Sequence, residues 1–370
     1  MACRSMQEFK SLGSERHQGN HSSPAVINRC NKPSNLLVED AGAERRRSKR
    51  KASSGKSQEG ASKRMRGTNR SPRSPAASQD HGGAAAPSSA NPRRMNNRTT
   101  FKVRYEEAGP LGEGSYGSVY SGYRRSDRLP VAIKHIAKAD VLYMQMALNG
   151  KMRRVPLEVV LLQKAGAGAE PGSVGSTAAV TLVDWFDLSN ELVLVLERPV
   201  PAVDLDAYLE ARGGHIQEHE AKIIMKQLVD AAAEIQAKGV FHRDIKLENV
   251  LIEMGSDVPR VRLIDFGCGC VLKEGAYTQA YGTPAYTPPE WYQRGSYRAG
   301  PTTVWQLGVL MFALLAGHLP FDTVRQIVHK KPKLGDGFSK NCQDFLKRCL
   351  NKCADGRFTL EHLQLHPWLD

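Results

Sequence analysis

HRDIKLEN, residues 242–249, is the stretch on which both the fold and the chemistry depend. Asp244 can accept the proton of an incoming hydroxyl, and Lys246 can neutralise charge on a phosphoryl group during its transfer. Asn249 can offer its amide oxygen to a magnesium ion. Because phosphoryl transfer needs positioning and charge compensation more than covalent chemistry, these three side chains within eight residues predict a site for it.

A second segment, LIDFG, follows at residues 263–267. Its aspartate, Asp265, lies sixteen residues beyond Asn249 and can ligate magnesium that bridges the phosphates of ATP. The triplet PPE, which ends at Glu290, follows both. Because the set occurs in the order typical of ATP-dependent phosphotransfer, we predict ATP and Mg2+ as cofactors, with Asn249 and Asp265 as metal ligands.

A glycine-rich segment, LGEGSYGSVY, precedes both motifs at residues 111–120. Without Cβ atoms, Gly112, Gly114 and Gly117 would let a strand, turn and strand fold closely over phosphates and offer backbone N–H groups to them. The same spacing also fits an ordinary hairpin turn or a dinucleotide-binding loop. A dinucleotide-binding loop needs a helix directly after it, whereas the residues up to Tyr123 have the character of another strand.

A lysine at the end of an apolar strand supplies the next predicted group. Lys134 closes VAIK, and an inward-pointing ammonium must find anionic partners. The phosphates of ATP and a helix carboxylate would meet that need. We predict that the carboxylate is Glu158 in RVPLEVVLLQK, with Pro156 near the helix start. Taken alone, the lysine and the glutamate also fit a solvated surface pair.

The charge is unevenly divided along the chain. Of a formal net charge of +14 over 370 residues, +13 falls in residues 1–100. Residues 1–98 are rich in Ser, Arg, Gly, Asn and Pro and lack an apolar period, so we predict a disordered basic tail. The clusters ERRRSKRK at 44–51 and KRMR at 63–66 predict binding of a nuclear-import receptor through residues 44–66, and a location in the cytoplasm, the nucleus or both.

Two other interpretations of the basic tail stay open. The tail fits an arm that binds nucleic acid or another polyanion without specificity, although its few aromatic residues argue against base stacking. It also fits a merely solvated segment without a partner.

Composition also limits the cellular setting. The seven cysteines form no CxxC pair and no Cys/His spacing typical of zinc sites, which indicates reduced thiols of an intracellular protein. The N-terminus has no apolar signal segment, and the longest strongly apolar run, around Leu307–Ala316, is too short to span a bilayer. We therefore expect no membrane association, and a monomer is the state we expect.

The rest of the pattern predicts one α+β domain over residues 101–370. Short β-branched strands and one helix are predicted first, and helical apolar periods follow. The buried strand Leu192–Leu196 runs into a proline-stiffened segment. The predicted layout is bilobal, with a small antiparallel-sheet N-lobe at about 101–197, a hinge at about 197–203 and a larger helical C-lobe at about 204–370.

Over residues 101–370 these segments resemble eukaryotic protein kinases, and more narrowly the Pim family of serine/threonine kinases. Thr303 stands where most kinases place an aspartate that anchors the catalytic loop, and Pim kinases also lack that aspartate. The resemblance implies the bilobal protein-kinase fold and phosphorylation of serine and threonine hydroxyls. The segments that carry it are PVAIKHI, RVPLEVVLLQK, ERPVP, PPEW and TTVWQLG.

The resemblance also implies which residues bind the nucleotide. Leu196 would be the gatekeeper beside the adenine pocket, and the carbonyl of Glu197 would accept a hydrogen bond from the adenine amino group. Pro199 has no N–H, so a second hydrogen bond that other kinases make should be missing. Glu290 should form a structural ion pair with Arg357. The other implied nucleotide contacts are Leu111, Gly112, Gly114, Gly117, Val119, Ala132, Lys134 and Leu251.

Substrates that are basic around the target hydroxyl are also implied by the resemblance. Asp204 and Glu248 match acidic positions that bind substrate arginines through carboxylate–guanidinium pairs, although either also fits a solvated surface charge. Leu247 departs from the acid expected beside Glu248. Thr283, in GTPAY, matches a residue that bridges to the catalytic aspartate and lysine, and together with Lys246 it implies serine/threonine specificity.

The activation segment departs from the Pim pattern. That pattern places acidic residues near the arginine of HRD, whereas this chain has Gln279 and Tyr281 there. Arg243 therefore lacks an obvious built-in acid, and the resemblance does not assure activity without phosphorylation. Phosphorylation of Tyr277, Thr278 or Tyr281 is the predicted substitute.

The main alternative class of function is a pseudokinase that acts as a binding scaffold. It predicts the loss of at least one residue on which phosphotransfer depends, whereas Lys134, Asp244 and Asp265 are all present. The sequence therefore favours an active enzyme, an ATP- and magnesium-dependent serine/threonine protein kinase.

Overall fold

The computed structural model describes residues 98–114, 117–148, 150–167, 177–255, 258–335 and 337–370. The basic tail predicted for residues 1–98 lies outside these residues except for Arg98, and so do both basic clusters. The predictions made for the tail therefore stay predictions.

The first lobe is built on a five-stranded antiparallel sheet with the strand order β1-β2-β3-β7-β6. A separate hairpin, β4 with β5, precedes the helix α2. The elements are α1 Arg98–Arg104, β1 Tyr105–Gly114, β2 Gly117–Arg124, β3 Pro130–Ala137, β4 Tyr143–Leu148, β5 Lys151–Pro156, α2 Leu157–Ala165, β6 Leu182–Asp187 and β7 Glu191–Glu197.

The sheet is covered on both faces at strand β7, which explains why its residues Leu192–Leu196 are all apolar. Its residues alternate between the two faces. Val193 and Val195 pack in a cluster with Phe101 of α1, whereas Leu192 and Leu194 join the larger core that includes α2. A strand buried on both faces has no polar positions, as predicted for Leu192–Leu196.

Two elements of this lobe were not predicted. The helix α1 begins at Arg98, so the domain starts slightly before the predicted boundary at residue 101. Phe101 anchors it, with its ring centroid 5.3 Å from that of Phe186. The basic insert before α2 forms the β4–β5 hairpin, on which the guanidinium of Arg154 lies 4.0 Å from the ring centroid of Tyr143.

The second lobe is mostly helical, with short strands next to the hinge. The apolar period predicted for its first long helix is confirmed, since Ala221, Ile224 and Leu228 are all buried. The elements are β8 Ala202–Asp204, α3 Leu205–Glu210, α4 Glu218–Ala237, β9 Val240–Phe241, β10 Val250–Glu253, β11 Arg260–Leu263, β12 Cys270–Val271, α5 Pro289–Arg294, α6 Ala299–Ala316, α7 Val324–His329, α8 Lys340–Cys349 and α9 Leu360–Gln364.

The helix α6 lies in the core of this lobe. It is buried on all sides, and Thr302 to Leu315 are buried without a break. It begins eight residues before the apolar run Leu307–Ala316 that the sequence shows. The run alone is too short to cross a membrane, whereas the 18 residues of the whole helix are long and apolar enough. Because 83% of it is buried within the protein, α6 matches the core helix of a globular domain.

The predicted ion pair between Glu290 and Arg357 is confirmed. The guanidinium donates to both carboxylate oxygens, at 2.8 and 2.5 Å, and also to the carbonyl of Pro301 at 2.9 Å. Both side chains are buried. This bidentate contact joins the start of α5 to the segment between α8 and α9.

Candidate active site

Lys134, Glu158 and Asp265 meet between the two lobes. Lys134 lies on β3, Glu158 in the first turn of α2, and Asp265 directly after β11. The ammonium of Lys134 lies 2.8 Å from Oε1 of Glu158 and 2.7 Å from Oδ1 of Asp265. The Lys134 and Glu158 side chains are only 6% and 10% exposed, so the solvated surface pair is excluded.

Electrostatic interactions keep the side chains of Lys134 and Asp265 charged. Burial alone would lower the pKa of Lys134, but the carboxylates of Glu158 and Asp265 outweigh it and raise the pKa above its usual value. Burial would likewise raise the pKa of Asp265, yet the ammonium of Lys134 holds it below the usual range. A cation and an anion therefore coexist at neutral pH, as phosphate and metal binding require.

Three residues predicted for the site surround the carboxylate of the predicted catalytic residue Asp244. Oδ1 of Asp244 accepts the backbone N–H of Thr283 at 2.8 Å, and Oδ2 accepts the side-chain amide of Asn249 at 3.2 Å. The ammonium of Lys246 lies 3.7 Å from Oδ2. The structure thus brings Asp244, Lys246, Asn249 and Thr283 together as the sequence predicts.

The side chains of Asn249 and Asp265 fit a magnesium ion. The amide nitrogen of Asn249 donates to the backbone carbonyl of Asp244 at 2.8 Å, which leaves the amide oxygen as its metal-binding atom. Oδ1 of Asp265 accepts the Gly267 N–H at 3.1 Å as well as the Lys134 ammonium. Two oxygen ligands from the protein suit a magnesium ion whose other ligands would be phosphate oxygens and water.

His242 links the catalytic loop to the metal-binding segment, a role that sequence analysis did not assign. Its Nδ1 accepts the N–H of Asp244 at 3.3 Å, so the proton lies on Nε2, which donates to the carbonyl of Ile264 at 3.0 Å. Burial lowers the pKa of this imidazole and keeps it neutral. Its position as the first residue of HRDIKLEN was the available signal.

The glycine-rich segment forms the β1–β2 hairpin. Gly114 pairs with Gly117, and β2 follows directly, so the dinucleotide-binding loop is excluded. Gly117 has φ +126°, and a Cβ on it would lie 1.8 Å from the carbonyl oxygen of His135. Only glycine fits this close approach of two strands.

The residues predicted for the adenine pocket come from both lobes. Across the sheet, Val119 pairs with Lys134, and Ala132 pairs with Leu196, the predicted gatekeeper. Leu111 is half exposed on β1. Leu251 lies on β10, which pairs with β8 directly after the hinge.

The hinge contains a buried ion pair that sequence analysis missed. Both carboxylate oxygens of Glu197 accept from the guanidinium of Arg262, at 2.9 and 2.6 Å. Arg262 also donates to Glu253 at 2.9 Å. The side chain of Glu197 therefore faces the protein interior, while the prediction concerned only its backbone carbonyl. An acid at the end of an apolar strand and an arginine just before LIDFG were the available signals.

The two predicted substrate-binding acids differ in their contacts. Oδ1 of Asp204 accepts the N–H of Ala207 at 2.8 Å and caps α3. Oε2 of Glu248 is buried, and no described residue donates a hydrogen bond to it. Leu247 is 1% exposed and belongs to the core, so the side chain at the place of the expected acid does not face a substrate.

Neutral groups of the activation segment hold the side chain of Arg243, which belongs to the catalytic loop. Its guanidinium donates to the carbonyls of Cys268 and Gly269, at 2.5 and 2.9 Å, and lies 3.9 Å from the ring centroid of Tyr281. No carboxylate in the described part of the chain forms an ion pair with it. Tyr277 is buried, so phosphorylation there would first require local opening.

The protein kinase domain family matches residues 105–369. The serine/threonine-protein kinase pim-2 of Danio rerio is 37% identical over 276 residues, which make up 74% of this chain and 87% of that protein. The chain belongs to the protein kinase family, in its Pim branch. Its resemblance to the Pim kinases is confirmed.

More distant kinases are similar over the same domain. The serine/threonine-protein kinase prk-2 of Caenorhabditis elegans is 32% identical over 273 residues, 73% of this chain and 59% of that protein. The PAS domain-containing serine/threonine-protein kinase of Mus musculus is 30% identical over 274 residues, 73% of this chain and 19% of that protein. The chain with the Asp244 site is therefore a serine/threonine kinase. Protein kinase domains in general use ATP and Mg2+.

Proposed function

We propose that this kinase transfers the γ-phosphate of ATP to serine and threonine hydroxyls preceded by basic residues. The buried Oε2 of Glu248, to which no described residue donates, carries the proposal. A buried carboxylate oxygen without a donor is costly. Rotation of the half-buried Glu248 side chain would bring this oxygen within reach of a substrate guanidinium, which would supply the missing hydrogen bonds.

The surroundings of Glu248 favour a cationic substrate. Asp206, in the first turn of α3, and Glu248 both act electrostatically on the hydroxyl of Tyr286. Burial first and then the charge of Glu248 raise the pKa of that hydroxyl well above its usual value, so it stays neutral. Asp206 was not predicted from the sequence. It adds a second negative charge at the start of α3, the helix that Asp204 caps.

The remaining roles follow from the geometry of the site. Asp244 would accept the proton of the substrate hydroxyl, and Lys246 beside it would offset charge on the phosphoryl group. Asp265 and Asn249 would hold magnesium, and Lys134 with the glycine hairpin would hold the phosphates of ATP.

A peptide library with each position varied in turn tests the preference. Glu248→Gln should raise KM for a peptide with arginine before the serine about tenfold, since a charge-assisted hydrogen bond worth roughly 1.5 kcal/mol is weakened. Its kcat and its KM for a peptide without basic residues should stay within twofold. The matched control is Glu361→Gln on α9, which should change neither value. An unchanged arginine preference in Glu248→Gln would contradict the proposal.

The basic tail extends the proposal to location and partners. Its clusters at 44–51 and 63–66 support binding of a nuclear-import receptor and a distribution between cytoplasm and nucleus. KRKASS at 49–54, which begins within the first cluster, matches the proposed substrate pattern, so Ser53 is a candidate for autophosphorylation. A phosphate there would weaken the attraction of the cluster for an acidic receptor.

Mass spectrometry tests this extension. The full chain incubated with ATP and Mg2+ should gain phosphate on Ser53 or Ser54, and the Asp265→Asn variant should not. Equal phosphate on both proteins would overturn autophosphorylation while leaving the substrate preference intact.

A further inference from the structure

The side chain of Gln306, on the core helix α6, contacts the backbone of the catalytic loop. The residue is only 3% exposed. Its Nε2 donates to the carbonyl oxygen of Arg243 at 2.7 Å, and its Oε1 lies 3.4 Å from the N–H of Ile245, which donates to it. These two backbone groups flank the catalytic Asp244, so one side chain brackets that residue.

The partners of Gln306 fix the orientation of its amide. A backbone carbonyl only accepts and a backbone N–H only donates, so the amide nitrogen must face Arg243 and the oxygen must face Ile245. Burial makes both contacts costly to lose, because a backbone group left unsatisfied inside the protein cannot bond to water instead.

The backbone at this point needs such support. Arg243 has φ +68°, in the left-handed region that non-glycine residues rarely adopt. Gly282 lies close to the same carbonyl, since a Cβ on it would be 2.4 Å from that oxygen. The strained peptide is therefore tightly packed, and the hydrogen bond from Gln306 holds its carbonyl oxygen.

The neighbouring Thr303 does not share this role. Its hydroxyl donates to the carbonyl of Ala299 at 3.0 Å, within its own helix. It lies one turn before Gln306 on α6, and both residues are buried. Of these two polar side chains, only that of Gln306 forms hydrogen bonds with the catalytic loop.

We propose that Gln306 is a positioning residue for phosphotransfer, which fixes the backbone on both sides of Asp244 and so sets the position of its carboxylate. It acts through Asp244 and touches neither nucleotide nor substrate. A side chain that is both donor and acceptor is required, which neither an apolar isostere nor an ionised acid provides.

The first test compares isosteric variants in the full chain. Gln306→Met keeps the volume and removes both hydrogen bonds, and it should lower kcat about ten- to hundredfold. KM for ATP should stay within twofold, because the Lys134 and Asp265 contacts are untouched. The matched control, Thr303→Val, should leave kcat within twofold. Thermal unfolding of each variant shows whether it is folded at the assay temperature.

The second test measures the pH dependence of kcat, which would not change if Gln306 only filled space in the core. Gln306→Glu places a carboxylate oxygen against the Arg243 carbonyl, where an ionised group repels it and a protonated group donates to it. The ratio of its kcat to that of the parent should therefore rise as pH falls from about 8 to 6, since burial raises the pKa of an introduced carboxyl.

The outcomes decide the proposal. A fall in kcat for Gln306→Met alone, with the recovery of Gln306→Glu at lower pH, supports it. A folded Gln306→Met with parental kcat overturns it, and so does an equal loss of kcat in Thr303→Val. If Gln306→Met does not fold, the pH profile of Gln306→Glu decides, and a flat ratio overturns the proposal.

Discussion

The nucleotide side and the activation-segment side of the site hold their cations in different ways. Under the glycine hairpin, the ammonium of Lys134 lies within 2.8 Å of two carboxylates. On the other side, Arg243 is held by two backbone carbonyls and by the ring of Tyr281, and none of the described carboxylates pairs with it. The first arrangement rests on charge, whereas the second rests on neutral groups.

The difference follows from the task of each cation. Lys134 must carry its charge beside phosphates, and a buried ammonium needs anions to remain protonated. Arg243 lies next to Asp244 in the catalytic loop, where position matters more than charge. Carbonyl oxygens and an aromatic face can fix a guanidinium without any acid. We therefore expect substitutions to be severe on the first side and graded on the second.

The largest effect is expected on the nucleotide side. Lys134→Met removes the phosphate-aligning cation and Asp265→Asn removes a metal ligand, so each should lower kcat to about one per cent of the parent or less. Lys238→Met, which breaks the more exposed pair with Glu234 on α4, is the control and should keep parental kcat.

Steady-state phosphorylation of one peptide measures all three variants, with circular dichroism as the check on folding. Activity above a few per cent in both Lys134→Met and Asp265→Asn would show that charge on this side is dispensable. The proposed difference, that the Lys134 side depends on charge and the Arg243 side on neutral groups, would then be wrong.

A smaller effect is expected on the activation-segment side. Tyr281→Ala should lower kcat about three- to tenfold, because a cation–π contact worth roughly 0.5–1.5 kcal/mol is lost. Tyr281→Phe keeps the ring and should retain parental kcat. Tyr281→Asp should also retain it, since an acid there would pair with Arg243 directly.

Kinetics of protein free of phosphate on the activation segment provide the measurement. If Tyr281→Phe loses as much activity as Tyr281→Ala, a hydrogen bond of the Tyr281 hydroxyl, rather than the ring contact, supports Arg243. Parental activity in Tyr281→Ala would show that the two carbonyls alone suffice for Arg243.

Short motifs allowed most of the active site to be predicted. In HRDIKLEN, the spacing of Asp244, Lys246 and Asn249 is sufficient, because a few residues of loop bring all three together. Lys134 and Glu158 were found because a charge on an apolar strand or helix face must have a partner. The helix α4 followed from its apolar period alone.

Contacts between distant residues could not be predicted in the same way. Glu197 and Arg262 are 65 positions apart, and Gln306 and Arg243 are 63 apart. The local sequence marks Glu197 and Arg262 as charges in apolar surroundings but does not pair them, since only the packing of separate elements brings the partners together. The helix α1 was missed for a related reason, since it buries a single residue, Phe101, and shows no period.

The smallest effect is expected at the hinge, where the sequence predicts that one hydrogen bond to ATP is missing. Pro199 has no N–H, and Pro199→Ala restores a donor whose net value is roughly 1 kcal/mol or less. Glu197, two residues earlier, is held by Arg262 through two hydrogen bonds, so the hinge should keep its position without the proline ring. KM for ATP should fall by no more than about fivefold, and kcat should not change. Arg262→Met is the informative partner, because it releases Glu197 and should weaken ATP binding in the Pro199→Ala background. A large loss of ATP affinity in Pro199→Ala alone would show that the shape of the proline, rather than the buried ion pair behind it, sets the hinge.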